Sequence, residues 1–221
     1  MVEVNGPDAP EDNPTVSENR WKEVEGRDRN FLLNVTLFSG EGNRAVVFPH
    51  LGSRIMVDFA GRCLKILKGE TWEPYKHPLL EMVTLVYLEK IDTVYPMGKD
   101  IVSSRDLKES HFFSGVHEFR LDELTRRYGK DPEGFIRAAE GLGGRPVAMA
   151  DAASVLFPFP RVPLYYLLWA GDEEFAPRFS ILFDRSIERV FQADAIWALV
   201  NLVSHSLIRA DVFPGNPRAQ F

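Results

Sequence analysis

An α+β fold, an antiparallel sheet with helices packed on it, is what this sequence predicts, and three observations predict it. Short apolar runs separated by turn residues recur between 44 and 67, the pattern of an antiparallel meander. Residues 162–183 read as strand, turn and strand. The stretches 79–91 and 195–207 carry apolar residues at spacings of three and four, the mark of helices with one buried face. The α+β domain so defined runs from 17 to 209, between an arm at 1–16 and an irregular tail at 210–221.

Residues 1–16 hold Pro, Asn, Asp and Glu and almost no large apolar side chain, so burial cannot offset the entropy of ordering them and a disordered, mobile arm is expected. Ser17, Glu18 and Trp21 open a helix. Phe31 to Phe38 is apolar in a pattern that fits helix and strand equally. SGEGN at 39–43 is a loop. Ala45 to Phe48 and Arg54 to Phe59 are strands joined through Pro49, His50, Leu51 and Gly52, and a third follows Gly61 with Leu64, Ile66 and Leu67.

His77 and Pro78 introduce a helix whose Leu79, Leu80, Val83, Val86, Tyr87 and Ile91 share a face, expected to pack on the meander. The region 93–115 lacks periodicity apart from a strand at Ile101 to Ser103, and irregular segments of that length are often functional. LDELTRRYG and DPEGFIRAAEGLGG are two short helices. Asp131 caps the second, Pro132 occupies its first position, and Gly141 or Gly143 closes it. Ser154 to Phe157 is a further strand.

Val162 to Ala170 is rich in Val, Leu, Tyr and Trp, the composition of a strand buried on both faces. Gly171 begins a turn through Asp172, Glu173, Glu174, Phe175, Ala176 and Pro177, and Phe179 to Phe183 returns as a strand. Asp184 and Ser186 are good N-caps, predicting a helical start through Ile187, Val190 and Phe191, with Asp194 as a second cap. From Ala195, the residues Ile196, Leu199, Val200, Leu202, Val203, Ser206 and Leu207 form a helix face, with Trp197 at its edge. Two Pro and a Gly in the tail exclude another element there.

Composition removes several function classes. A net charge of −6 with no run of Lys and Arg lacks the positive footprint of a nucleic-acid binder. No apolar stretch reaches the roughly 18 residues of a membrane span. The opening MVEVNGPDAPEDNP has neither the basic nor the apolar region of a signal peptide, so a cytoplasmic location is expected. Cys63 is the sole cysteine, which excludes an intrachain disulfide and a thiolate cage within one chain.

The candidate functional residues fall in three places. Asp172, Glu173 and Glu174 can present carboxylates to a cation or a basic partner, but side chains alternate along an extended segment, so only Asp172 and Glu174 converge, too few for a calcium shell. No metal site is therefore expected. Arg161 and Asp184 stand at the outer ends of the two strands, placed to pair with each other or with the turn, or to let Arg161 orient an anionic substrate. His111 and His117 flank Phe112 and Phe113 in SHFFSGVHEF, a set able to line a cofactor pocket with an axial imidazole. GLGGRP at 141–146 follows a helix instead of opening one after a strand, so it is a helix stop and not a phosphate loop. No GxSxG, HExxH or Walker sequence occurs, which leaves the catalytic residues, if any, unassigned.

The GDEEF turn, the ILFD strand end, FIRAAEGLGGRP, FPRVPL and HLGSRIMVD together resemble a bacterial and archaeal family known as domain of unknown function 3786, over roughly residues 20–208. The resemblance implies a soluble α+β protein common in anaerobes, some of whose relatives are joined to a cysteine-rich iron–sulfur domain and described as corrinoid or iron–sulfur proteins. With one cysteine this chain departs from that pattern, leaving a non-covalently held corrinoid or haem as the implied cofactor class. The function expected on that basis is a non-catalytic binding or accessory protein for a tetrapyrrole cofactor, or for a redox, corrinoid or iron–sulfur partner bearing one. The alternatives are a small-molecule enzyme using carboxylates of the turn as acid and base, or a structural subunit docking through its acidic loop. The motif residues carried over are Gly171, Asp172, Glu173, Glu174, Phe175, Phe183 and Asp184.

Overall fold

Two short helices, Glu18–Glu25 (α1) and Arg29–Thr36 (α2), open the described part of this computed structural model, residues 18–210. The arm expected at 1–16 and the tail after Ala210 lie outside the described residues. The segment that fitted helix and strand equally is α2. Asp28 caps it by accepting from the Phe31 amide at 2.6 Å, and Leu37 ends it in the left-handed region at φ 62°. A side-chain cap outside the apolar run therefore decides the period within it.

Ser39–Glu41 (β1), Ala45–His50 (β2), Ser53–Asp58 (β3), Cys63–Lys68 (β4) and Thr71–Pro74 (β5) form an antiparallel meander in sequence order. It has five strands where three were expected, because the short edge strands β1 and β5 carry too few apolar residues to show a period. Leu51 and Gly52, with φ 45° and 78°, make the two-residue turn between β2 and β3, as a hairpin with twisted strands requires.

Pro78–Lys90 (α3) packs against α1, and also against the C-terminal helix described below, so its main neighbours are helices and not the meander expected for it. The irregular region then contributes Ile101–Ser103 (β6) and three single-turn 3₁₀ segments. Asp122–Tyr128 (α4) and Pro132–Gly141 (α5) follow. Asp131 caps α5 as expected, accepting from Gly134 N at 2.8 Å.

Arg145–Pro146 (β7), Ala152–Phe159 (β8), Val162–Trp169 (β9) and Arg178–Asp184 (β10) join β6 in a second antiparallel sheet, ordered β6-β10-β9-β8-β7. The strands thus make two five-stranded sheets, and β9 is the middle strand of its sheet. After β10 the chain makes a 3₁₀ turn at Arg185–Arg189, not a full helix, and Ala193–Ala210 (α6) closes the fold. Asp194 lies inside α6. The amide of Ala193 is instead accepted by Glu109 at 2.9 Å, a cap supplied from 84 residues away and invisible to a local reading.

One core runs through both sheets. Where β2 meets β8 it is aromatic: Phe38 stacks on Phe48 at 4.6 Å, Tyr87 on Phe159 at 4.7 Å, and Phe191 on Tyr87 at 5.8 Å. Beside them the buried His50 donates from Nδ1 to the Pro158 carbonyl at 2.9 Å. Burial pulls the His50 pKa down to about 4, against the raising effect of that hydrogen bond. Tyr166 ties β9 to α6, its hydroxyl donating to the Val200 carbonyl and lying 3.0 Å from Ser204 Oγ.

Candidate functional site

The β9–β10 connection is an exposed, internally braced turn. Asp172 Oδ1 accepts from the amides of Glu174 at 2.8 Å and Phe175 at 2.7 Å, while its own amide donates to the Phe175 carbonyl at 3.0 Å. These bonds, Phe175 first, hold the Asp172 carboxyl below the usual range. That is the wrong direction for a group exchanging protons near neutral pH. Pro177 closes the loop over Gly171, where a Cβ would lie 2.5 Å from the proline Cδ and 2.8 Å from its nitrogen. At the base, Asp151 accepts from Ala170 N at 2.9 Å. Asp172 is exposed but bound to the backbone of its own turn; Glu173, Glu174 and Phe175 are exposed as well, Phe175 by 70%. Among the described residues no group of three His, Cys, Asp or Glu side chains is placed to hold a metal ion.

The His and Phe set takes up a different position. His117 stacks on Phe112 at 4.2 Å and meets the edge of Trp197 at 5.7 Å; Phe113 stacks on Phe119 at 4.9 Å, and Phe119 reaches Phe183 at 5.8 Å. His111 is exposed. The rings fill one another's space against α6 and β10, fastening the irregular region to the core. A tetrapyrrole site needs a slot with an imidazole aimed across it, and His117 covered by Phe112 does not provide one.

Arg161 sits in the β8–β9 turn, at the far end of the hairpin from Asp172 and Glu174. Eight strand residues separate them, about 25 Å at the rise of an antiparallel strand, so Arg161 and the acidic turn cannot share one ligand. The expected pairing of Arg161 with Asp184 is also not formed at ion-pair distance. Asp184, only 3% exposed, accepts from Ser186 N at 2.9 Å and from Gly98 N through its other oxygen. Backbone donors thus outcompete the guanidinium. Arg161 and Asp184 nevertheless line the same small cavity with Tyr87, Tyr95, Pro163 and Ser186. Its volume is about 10 Å³, roughly what one water-sized atom needs. Two side-chain atoms of its lining residues, Tyr87 Oη and Arg161 Nε, are buried and have no hydrogen-bond partner among the described residues. Burial drives the Tyr87 hydroxyl well above its ordinary pKa, with Arg161 acting in the opposite sense.

Tyr87 is the residue that periodicity assigned only to a core face. The available signal was its hydroxyl, since a buried Tyr normally finds a partner; which group faces it depends on how α3 meets the second sheet. A broader, open groove of about 490 Å³ runs between α5 and the β7–β8 edge, lined by Ile136, Arg137, Val147 and Asp151 among others. None of the residues singled out at 111–117, 161 or 172–174 lines it.

These features define an α+β protein of two antiparallel sheets with an acidic, aromatic-tipped hairpin at one end and a small cavity lined by Tyr87 and Arg161 at the other. The family described as a domain of unknown function, DUF3786, matches residues 34–206, and the chain belongs to that family. No curated protein and no solved structure matches it. No helix among the described residues is long and apolar enough to cross a membrane.

Proposed function

We propose that this chain is a non-catalytic accessory protein that docks the 171–177 turn onto a partner with a basic surface. In the terms of the family resemblance, that partner bears the cofactor and is a corrinoid or iron–sulfur protein of anaerobic metabolism. The observation that carries this reading is Phe175, 70% exposed at the tip of a turn whose backbone is already fixed by Asp172. Exposed aromatic anchors dominate interface energies when they enter a pocket, and a turn ordered before contact loses little further freedom on binding. Glu173 and Glu174 around it supply a field that steers a basic surface. The binding of Asp172 to its own turn and the exposure of its neighbours favour a docking element over an acid–base centre.

The test is anaerobic purification of a tagged chain from its native host with a photo-crosslinking residue at 175, followed by calorimetry with the captured protein made recombinantly. Phe175→Ala and Glu173→Lys should each weaken binding about tenfold or more, with unchanged thermal midpoints and a salt-dependent association rate. Equal affinity for Phe175→Ala and the parent would place the contact elsewhere. A chromophore on the isolated chain, lost in His111→Ala or His117→Ala, would show instead that the chain holds the cofactor itself.

A further inference from the structure

We propose that the cavity between α3 and the Arg161 end of the second sheet is a binding site for a small monocarboxylate, one oxygen of which enters between Tyr87 and Arg161. The groups left unmet there are donors. Among the described residues, the hydroxyl of Tyr87, 1% exposed, has no partner, and the Arg161 Nε–H, from another residue of the lining, is buried with none. Asp184, also in the lining, takes an amide from Ser186 on one oxygen and from Gly98 on the other. An acceptor in contact with these donors is what the described residues do not supply, and a buried donor without one is destabilising.

Water would satisfy the donors but would not put an anion in contact with Arg161. Arg161 forms no ion pair within 4.0 Å among the described residues; Asp184 lines the same cavity but lies farther off, and a guanidinium is met best by a carboxylate in direct contact. The volume admits one oxygen atom and not a whole phosphate. Asp184 in the cavity wall repels a dianion more strongly than a monoanion. Both arguments select a carboxylate with a small substituent, only one oxygen of which is enclosed. This site is independent of the docking turn, which lies at the other end of the hairpin.

Sodium formate and acetate, titrated against sodium chloride at equal ionic strength, provide the probes. Each should raise the thermal midpoint of the full chain saturably and shift the Arg161 Nε–H resonance in a nitrogen-correlated NMR spectrum, identified by its loss in Arg161→Gln. Tyr87→Phe keeps the ring in its aromatic stack and removes only the hydroxyl. It should fold normally and bind formate about tenfold more weakly, the value of one hydrogen bond to a charged group. Arg161→Gln should abolish the effect. The proposal is overturned if formate does no more than chloride, if both variants respond like the parent, or if inorganic phosphate binds more tightly than formate. A crystal grown in formate that shows only water between Tyr87 and Arg161 would overturn it too.

Discussion

Replacing Asp184 by Ala should destabilise the protein by more than an ordinary cap loss. The side chain is 3% exposed and accepts two backbone amides, Ser186 N in the 3₁₀ turn after β10 and Gly98 N in the loop before β6. Loss of an N-cap side chain alone costs about 0.5–2 kcal/mol. Here a second donor is orphaned as well, at about 1–3 kcal/mol when fully buried. Gly98 is itself exposed, so water restores part of that bond, and the total comes to about 2–4 kcal/mol. Asp184→Asn keeps one acceptor, for Ser186 N, and turns an amide toward the Gly98 amide, so it should cost about half as much. Asp184→Ser reaches only Ser186 N and should fall close to Asn. Urea melts at pH 7 with a common slope measure all three. If Asp184→Ala stays within about 0.5 kcal/mol of the parent, the two amides are not carried by this side chain and the reasoning fails.

Other consequences follow from single contacts. His50, with its pKa drawn from 6.5 to about 4 by burial, binds less proton folded than unfolded between those values, so stability should be complete above pH 6.5 and fall as pH drops toward 4. The loss should reach about 3 kcal/mol, measured as the difference in pH dependence between the parent and His50→Gln. Gly171→Ala forces a Cβ against the Pro177 ring and backbone nitrogen and should cost about 1–3 kcal/mol in denaturant melts. Tyr166→Phe removes the hydroxyl bound to Val200 O and Ser204 Oγ and should cost about 1–2 kcal/mol in the same assay. Glu173→Ala, at an exposed position, should leave the urea midpoint unchanged.

The elements that were legible in the sequence are those whose own residues carry a period or a cap. β9 is an almost unbroken apolar run, β10 carries the apolar residues Phe179, Ile181, Leu182 and Phe183, α5 carries its cap and first-position proline, and α6 keeps a buried face over 18 residues. What escaped is what another part of the chain supplies. Asp184 reads as a helix start, yet the turn after it stays 3₁₀, and α6 is capped by Glu109. The edge strands β1, β5 and β7 hold two to four residues each and exist because a neighbour offers its ladder, not because of their own pattern. The site divides the same way. The GDEEF turn was recognisable as an acidic loop, and its backbone bracing by Asp172 follows from the Asx-turn habit of Asp. The meeting of Arg161 and Tyr87 at one cavity joins residues 74 positions apart and follows only from the stacking of Tyr87 on Phe159 of β8.

The geometry of the β9–β10 hairpin makes the two functional readings separable. Phe175 and Arg161 are held at opposite ends of one antiparallel pair, about 25 Å apart, beyond direct contact and beyond roughly two screening lengths at physiological salt. A monocarboxylate between Tyr87 and Arg161 therefore cannot touch a protein seated on the tip, and its charge is not felt there. Phe175→Ala should accordingly keep the full formate-dependent rise in thermal midpoint, and Arg161→Gln should keep partner affinity within about twofold, less than 0.5 kcal/mol. Measuring each variant in both assays distinguishes two sites from one. If either substitution removes both responses while the urea midpoint stays at the parent value, the ends of the hairpin are coupled through the sheet, and the tip and the cavity belong to a single functional unit.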